Sequence, residues 1–106
     1  MELKLGDNIF PLRGDILAIK NAQEEHGVRI DKLDGGSIVD VGTMVFHFAR
    51  RGCEVRRVPF DFDLDGFLGL IEMDQIGFLA EAIGSIISGE KSGPKSTSKK
   101  KANKAA

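Results

Sequence analysis

The 106-residue chain has no tryptophan, no tyrosine and a single cysteine, Cys53. Its seven phenylalanines can fill a core, but they provide no phenol or indole group for polar recognition. A lone cysteine excludes an internal disulfide scaffold. The length allows one domain, which excludes large catalytic domains and folds that need several βαβ units.

Long apolar runs are also missing. No run approaches the roughly 18 residues of a membrane-spanning helix, and the N-terminal MELKLGDN is charged from Glu2 onward, unlike a signal peptide. We therefore expect no membrane partner, and a reducing cytoplasm is the default setting.

The formal net charge of −1 hides an uneven distribution. Residues 1–90 carry nine basic and sixteen acidic residues, whereas residues 91–106 contain six lysines and no acid. The tail has no large apolar side chain to offset its chain entropy. These contrasts predict an acidic, mainly helical domain at 1–90 and a disordered lysine-rich tail at 91–106. Nucleic acid is not an expected partner, because the tail has no aromatic residue to stack on bases.

Local patterns predict a mainly α fold, with a short N-terminal β-hairpin and about four helices in a small bundle. Leu3 and Leu5 alternate with polar residues before a Gly-Asp-Asn turn, which is typical of a hairpin. Asp15 as N-cap and Gly27 as the residue after the last turn predict a first helix over Ile16–His26.

The next segments predict one extended stretch and the longest helix. Residues 28–33 alternate, which favours a short extended segment. Ser37 predicts the start of a second helix, Ile38–Arg51, and Gly52 predicts its end, so that residues 53–60 form a connector.

Acidic caps predict two further helices. Asp63 or Asp65 is expected to cap a short third helix, and Asp74 a fourth over Gln75–Ser88. The predicted core stripe of the fourth helix is Ile76, Leu79, Ala80, Ile83 and Ile87.

The second helix has more apolar surface than one neighbour can cover. Its polar residues occupy an arc of only about 100° at 100° per residue. A helix that is apolar over most of its circumference is buried by several neighbours or by another chain. We therefore expect apolar positions on the second and fourth helices to face a partner. The candidates are Val39, Phe46, Phe78, Ala82 and Ile86.

A calcium-loop pattern is the sharpest motif match. D-x-D-x-D-G-x5-E is matched by Asp61, Asp63, Asp65, Gly66 and Glu72. The entering helix of such a loop would be broken by Gly52 and Pro59. The favoured interpretation is an extended acidic entry into a helix, with no metal ion; a calcium-binding module is the alternative.

Catalytic and transition-metal chemistry are not predicted. His47 lies on the polar arc of the second helix and is expected to be solvated, and no further ligands with metal-site spacing accompany it or His26. Four arginines near Cys53 favour a thiolate, but no base or oxyanion site is visible. The chain is therefore expected to be a non-enzyme without a cofactor.

Three blocks of the sequence resemble the small tail assembly chaperones of tailed bacteriophages, in their short form. The blocks are KLGDNIFPLRGDILAIKNAQEEHGVRI, DGGSIVDVGTMVFHFARRG and VPFDFDLDGFLGLIEMDQIGFLAEAI, and together they span roughly residues 1–90. The resemblance implies a small, mainly helical protein that binds the tape-measure protein in the host cytoplasm and keeps it soluble while the tail assembles. It also implies absence from the mature virion.

The partners that follow from this resemblance are the tape-measure protein and, as a further candidate, the tail-tube protein. A second copy of the chain is another candidate partner. Besides the calcium-binding module, a small structural or regulatory subunit that dimerises through the second helix is an alternative function.

Overall fold

A computed structural model describes residues 2–33 and 37–88. These residues form an antiparallel hairpin followed by four helices, so the predicted fold class is confirmed. The tail at 91–106 and the glycines at 35 and 36 lie outside the described residues. The elements are β1 (Glu2–Leu5), β2 (Asn8–Pro11), α1 (Ile16–His26), α2 (Ile38–Arg56), α3 (Leu64–Leu68) and α4 (Ile76–Ser88).

The hairpin covers one end of the core. Gly6 takes the left-handed conformation, with φ of 62°, in the turn between the strands. Leu3 lies opposite Phe10 across the ladder, both are buried together with Leu5, and β2 packs on α2. Side chains of β1 therefore point alternately to a buried apolar face and to an exposed face of the hairpin.

Helix α1 has the bounds that its caps predict. The Asp15 carboxylate accepts a hydrogen bond from the Ala18 N–H at 3.0 Å, and Gly27 ends the helix at φ 69°. The small side chains of Ala18 and Ala22 are buried, which lets α1 pack closely on α2. Ile16, in contrast, is 79% exposed.

Helix α2 is the central helix, and it is longer than predicted. Residues 41–49 are all buried, because the hairpin, α1, α3 and α4 surround them. Gly52 does not end the helix: it lies where a Cβ atom would overlap the carbonyl oxygen of Pro11. The helix ends at Arg56, and the next residue, Arg57, caps it: its φ is 58° and its N–H donates to carbonyls of the preceding turn. Gly52 thus permits close packing, and residues 53–56 are helical rather than part of a connector.

The segment predicted to be extended, residues 28–33, instead contains a 3-10 turn over Ile30–Lys32. The Leu33 N–H bonds to the Ile30 carbonyl at 3.4 Å. A 3-10 turn places residues three apart on one side. Ile30 and Leu33 therefore both pack on the core, which the alternating pattern did not anticipate.

Phenylalanines tie the acidic entry segment to the core. Phe60 and Phe62 are half-buried and alternate with exposed aspartates, as predicted. The ring of Phe10 lies 5.5 Å from that of Phe62 and 5.1 Å from that of Phe67, in edge-to-face geometry. Asp63 is the N-cap of α3, since its carboxylate accepts the Gly66 N–H at 2.7 Å.

Helix α4 is rotated relative to its predicted core stripe. Leu79 and Ile83 are buried as expected, but Ala82 is buried too and Ile87 is 49% exposed. Met73–Gln75 form a 3-10 turn before the helix. None of the helices in the described residues combines the length and hydrophobicity of a membrane-spanning segment.

Candidate functional site

An apolar groove opens between the first turn of α2, the end of α3 and the start of α4. Its volume is about 180 Å³. Ile38, Val39 and Met73 stand on its edges with exposed fractions of 44%, 62% and 72%. We call this the apolar groove; its lining is Ile38, Val39, Gly42, Leu68, Ile71, Glu72, Met73 and Ile76.

Local structure explains how the groove forms. The Ser37 hydroxyl accepts the Asp40 N–H at 3.2 Å and starts α2, so Ile38 and Val39 lie in the uncovered first turn. Gly42 leaves room for Leu68: a Cβ atom there would come within 2.7 Å of Leu68 Cδ2.

The turn before α4 forms the other edge. The Glu72 N–H donates to the Gln75 side chain at 2.8 Å, and the Glu72 side chain accepts from the Gln75 backbone in return. This capping box fixes the direction of the chain at Met73, whose side chain remains in solvent.

The segment that supplies most of the groove lining is acidic. Residues 58–88, which supply α3, the 3-10 turn and α4, contain six acidic residues and no lysine or arginine. One of those acids, Glu72, lines the groove itself. The site is therefore an apolar surface in a negative field.

The five residues predicted to face a partner do not share one surface. Val39 lines the groove, and Phe78 is 58% exposed but lies about 200° around α4 from the groove residue Ile76. Phe46 and Ala82 are buried, with 3% and 6% of their surfaces exposed.

The prediction that these residues face a partner is thus wrong for Phe46 and Ala82, which are buried. Ile86 also differs from the prediction, because it packs against the core. Phe46 packs among aromatic rings, 5.5 Å from Phe60. Ile86 is half-buried and packs against the core, so close to Gly14 that a Cβ there would overlap it. The spacing of apolar residues predicts that these segments are helices, but it does not predict which side of each helix its neighbours cover.

The acids of the calcium-loop motif have other roles. Asp63 caps α3, and Glu72 caps the turn before α4. Within the described residues, possible metal ligands do come together at another place. Glu25, His26 and His47 have ligand atoms that all lie within 4.8 Å of one another. The structure therefore does not bring Asp61, Asp63, Asp65 and Glu72 together as a ligand set.

His47 is buried, with only 1% of its surface exposed, contrary to the expectation that it is solvated. Its Nε2 atom lies 2.8 Å from Nδ1 of His26, the last residue of α1. Desolvation by burial, with a smaller contribution from the Arg50 and His26 charges, lowers the pKa of His47 to about 4.

Arg50 connects this histidine pair to Glu25. Its guanidinium donates to both carboxylate oxygens of Glu25, at 3.1 and 2.9 Å, and these hydrogen bonds lower the pKa of Glu25. Arg50 Nη2 also lies 3.4 Å from Nδ1 of His47. Because a guanidinium can only donate, this geometry favours the His47 tautomer with its proton on Nε2, which donates to His26.

Sequence reasoning missed this cluster because its members lie 21 residues apart. The available signal was positional: His26 ends the helix that packs on the middle of α2, where His47 lies. Cys53 is buried as well, and desolvation raises the pKa of its thiol despite the nearby Arg56.

Comparisons with protein-family models, curated proteins and solved structures gave no match for this chain. Its function is therefore inferred from its own residues and from the resemblance described above.

Proposed function

We propose that this chain is a phage tail assembly chaperone, which binds segments of the tape-measure protein in the apolar groove and keeps that long chain soluble. The three sequence blocks that resemble such chaperones support the proposal. The structural observation that carries it is the exposure of Ile38, Val39 and Met73 around one groove whose lining is otherwise largely apolar. Exposed apolar side chains grouped around a concave surface are typical of interaction sites.

The groove suits one apolar edge of an amphipathic helix. Such helices bind grooves through side chains spaced three or four residues apart. A groove of about 180 Å³ admits few side chains, so each binding event is weak. Weak binding is appropriate for a chaperone that later releases its partner to the assembling tail.

The charge around the groove specifies the partner further. Residues 58–88 contain six acidic residues and no lysine or arginine. We therefore expect the bound segment to carry lysine or arginine beside its apolar stripe. The acidic residues also keep a complex with an apolar chain soluble. Binding should therefore weaken as salt concentration rises.

Co-expression with tape-measure fragments from the same phage tests the proposal. Val39→Asp and Met73→Asp place a charge at the groove, and both positions are exposed enough for folding to persist. Ile16→Asp is the matched control, because Ile16 is an exposed isoleucine in the first turn of α1, away from the groove. We expect the wild type and Ile16→Asp to retain the fragment in solution, and the two groove variants to lose it.

Several outcomes would contradict the proposal. If the wild type captures no tape-measure fragment, or captures only tail-tube protein, the tape-measure assignment fails. If Phe78→Asp abolishes capture and Val39→Asp does not, the binding surface is the opposite side of α4. A free chain that is dimeric and becomes monomeric in Val39→Asp would instead support a dimeric structural subunit.

A further inference from the structure

Glu25, His26 and His47 place a carboxylate and two imidazole nitrogens within 4.8 Å of one another. We propose that these three side chains bind a divalent transition-metal ion, with Zn²⁺ as the reference ion. The ligand atoms are a Glu25 oxygen, His26 Nδ1 and His47 Nε2. Two imidazoles and a carboxylate form a ligand set that zinc accepts, with the fourth position left for water.

The two ring nitrogens are already close to the spacing that a metal requires. They face each other at 2.8 Å with one proton between them. Zinc–nitrogen bonds of about 2.05 Å at a tetrahedral angle need roughly 3.3 Å, so the rings would separate by about 0.5 Å. His26 can move that far because it is exposed and ends α1, while His47 is held in the core.

Arg50 competes with the metal in two ways. It occupies both oxygens of Glu25, and its proximity to Nδ1 of His47 favours the tautomer whose Nε2 carries the proton. A metal on Nε2 requires that proton to move to Nδ1, which would then face the Arg50 donor. The Arg50 side chain is 28% exposed, so it can turn into solvent when the ion binds.

This competition gives a distinctive prediction, since removal of Arg50 should strengthen binding. Zinc titration of the full, tag-free chain at neutral pH, followed by calorimetry, should show one site per chain. His26→Gln should weaken that site at least about tenfold, and Arg50→Met should tighten it several-fold. Glu25→Gln should also weaken it. The control is Glu24→Gln, because Glu24 pairs with Lys20 rather than with the cluster.

Cobalt(II) absorption provides a second measurement that folding alone does not change. Tetrahedral coordination by imidazole should appear in the wild type and be lost in His26→Gln, which leaves a single histidine in the chain. The proposal is overturned if the wild type binds no zinc saturably, if His26→Gln binds it as tightly as the wild type, or if Arg50→Met weakens binding. Should His26→Gln not fold, Glu25→Gln at its exposed position decides the question.

Discussion

The burial of His47 determines how the protein responds to mild acid. Its pKa is about 4 in the folded chain, against an ordinary value of 6.5. Between these pH values His47 takes up a proton in the unfolded chain but not in the folded chain. The contribution of His47 to the free energy of unfolding is therefore fully present above pH 6.5 and is lost as the pH drops towards 4. The full difference corresponds to about 3 kcal/mol.

We expect the free energy of unfolding to fall by about 2 kcal/mol between pH 7 and pH 5. Urea unfolding in the presence of a chelator measures it without interference from metal ions. His47→Gln removes the group and should reduce this pH dependence. An unchanged slope in that variant would show that His47 is not the group responsible for it.

The environment of His47 also shows why this residue was misjudged from sequence. The polar arc of α2 predicted a solvated side chain, and it includes Thr43, which is buried as well. Thr43 donates to the Val39 carbonyl, and His47 bonds to His26. Thr43 thus has a hydrogen-bond partner in its own helix, whereas the partner of His47 lies in another helix. The spacing of residues within one helix cannot predict a partner in another.

Among the elements, those with strong local signals were predicted best. The bounds of α1 follow from Asp15 and Gly27, because capping depends on residues within one turn. The end of α2 was predicted wrongly because Gly52 serves a distant contact with Pro11. The same limit applies to the groove. Val39 was predicted to face a partner from the pattern of α2, but Ile71 and Met73 line the groove because of the path that the chain takes between α3 and α4, which no local pattern predicts.

Two glycine-to-alanine substitutions test this account of α2. Gly52→Ala should destabilise the fold by about 1–3 kcal/mol or more, because the methyl group would overlap the Pro11 carbonyl. Gly84→Ala is the control within a helix interior, at a position where a Cβ meets nothing within 4 Å. It should stabilise the protein by about 0.5–1 kcal/mol through helix propensity. Thermal unfolding compares both with the wild type, and a neutral Gly52→Ala would mean that the glycine is not needed for packing.

At the scale of the whole molecule, the hairpin and four helices of the described residues bury α2 but leave the start of that helix uncovered. The apolar groove at that point, lined mostly by the acidic segment 58–88, is the basis of the proposed chaperone function. The fold class followed from the sequence because it depends on local patterns. The position of the groove did not, since it depends on which helix faces are covered.

Hydrogen–deuterium exchange of the full chain, with and without a bound tape-measure fragment, tests the central claim most directly. Binding in the apolar groove predicts slower exchange at residues 37–42 and 68–76, with little change at residues 9–17. Val39→Asp should remove that protection, and Ile16→Asp should keep it. Protection centred on residues 77–85, or the absence of any protection in a confirmed mixture, would contradict the proposed site.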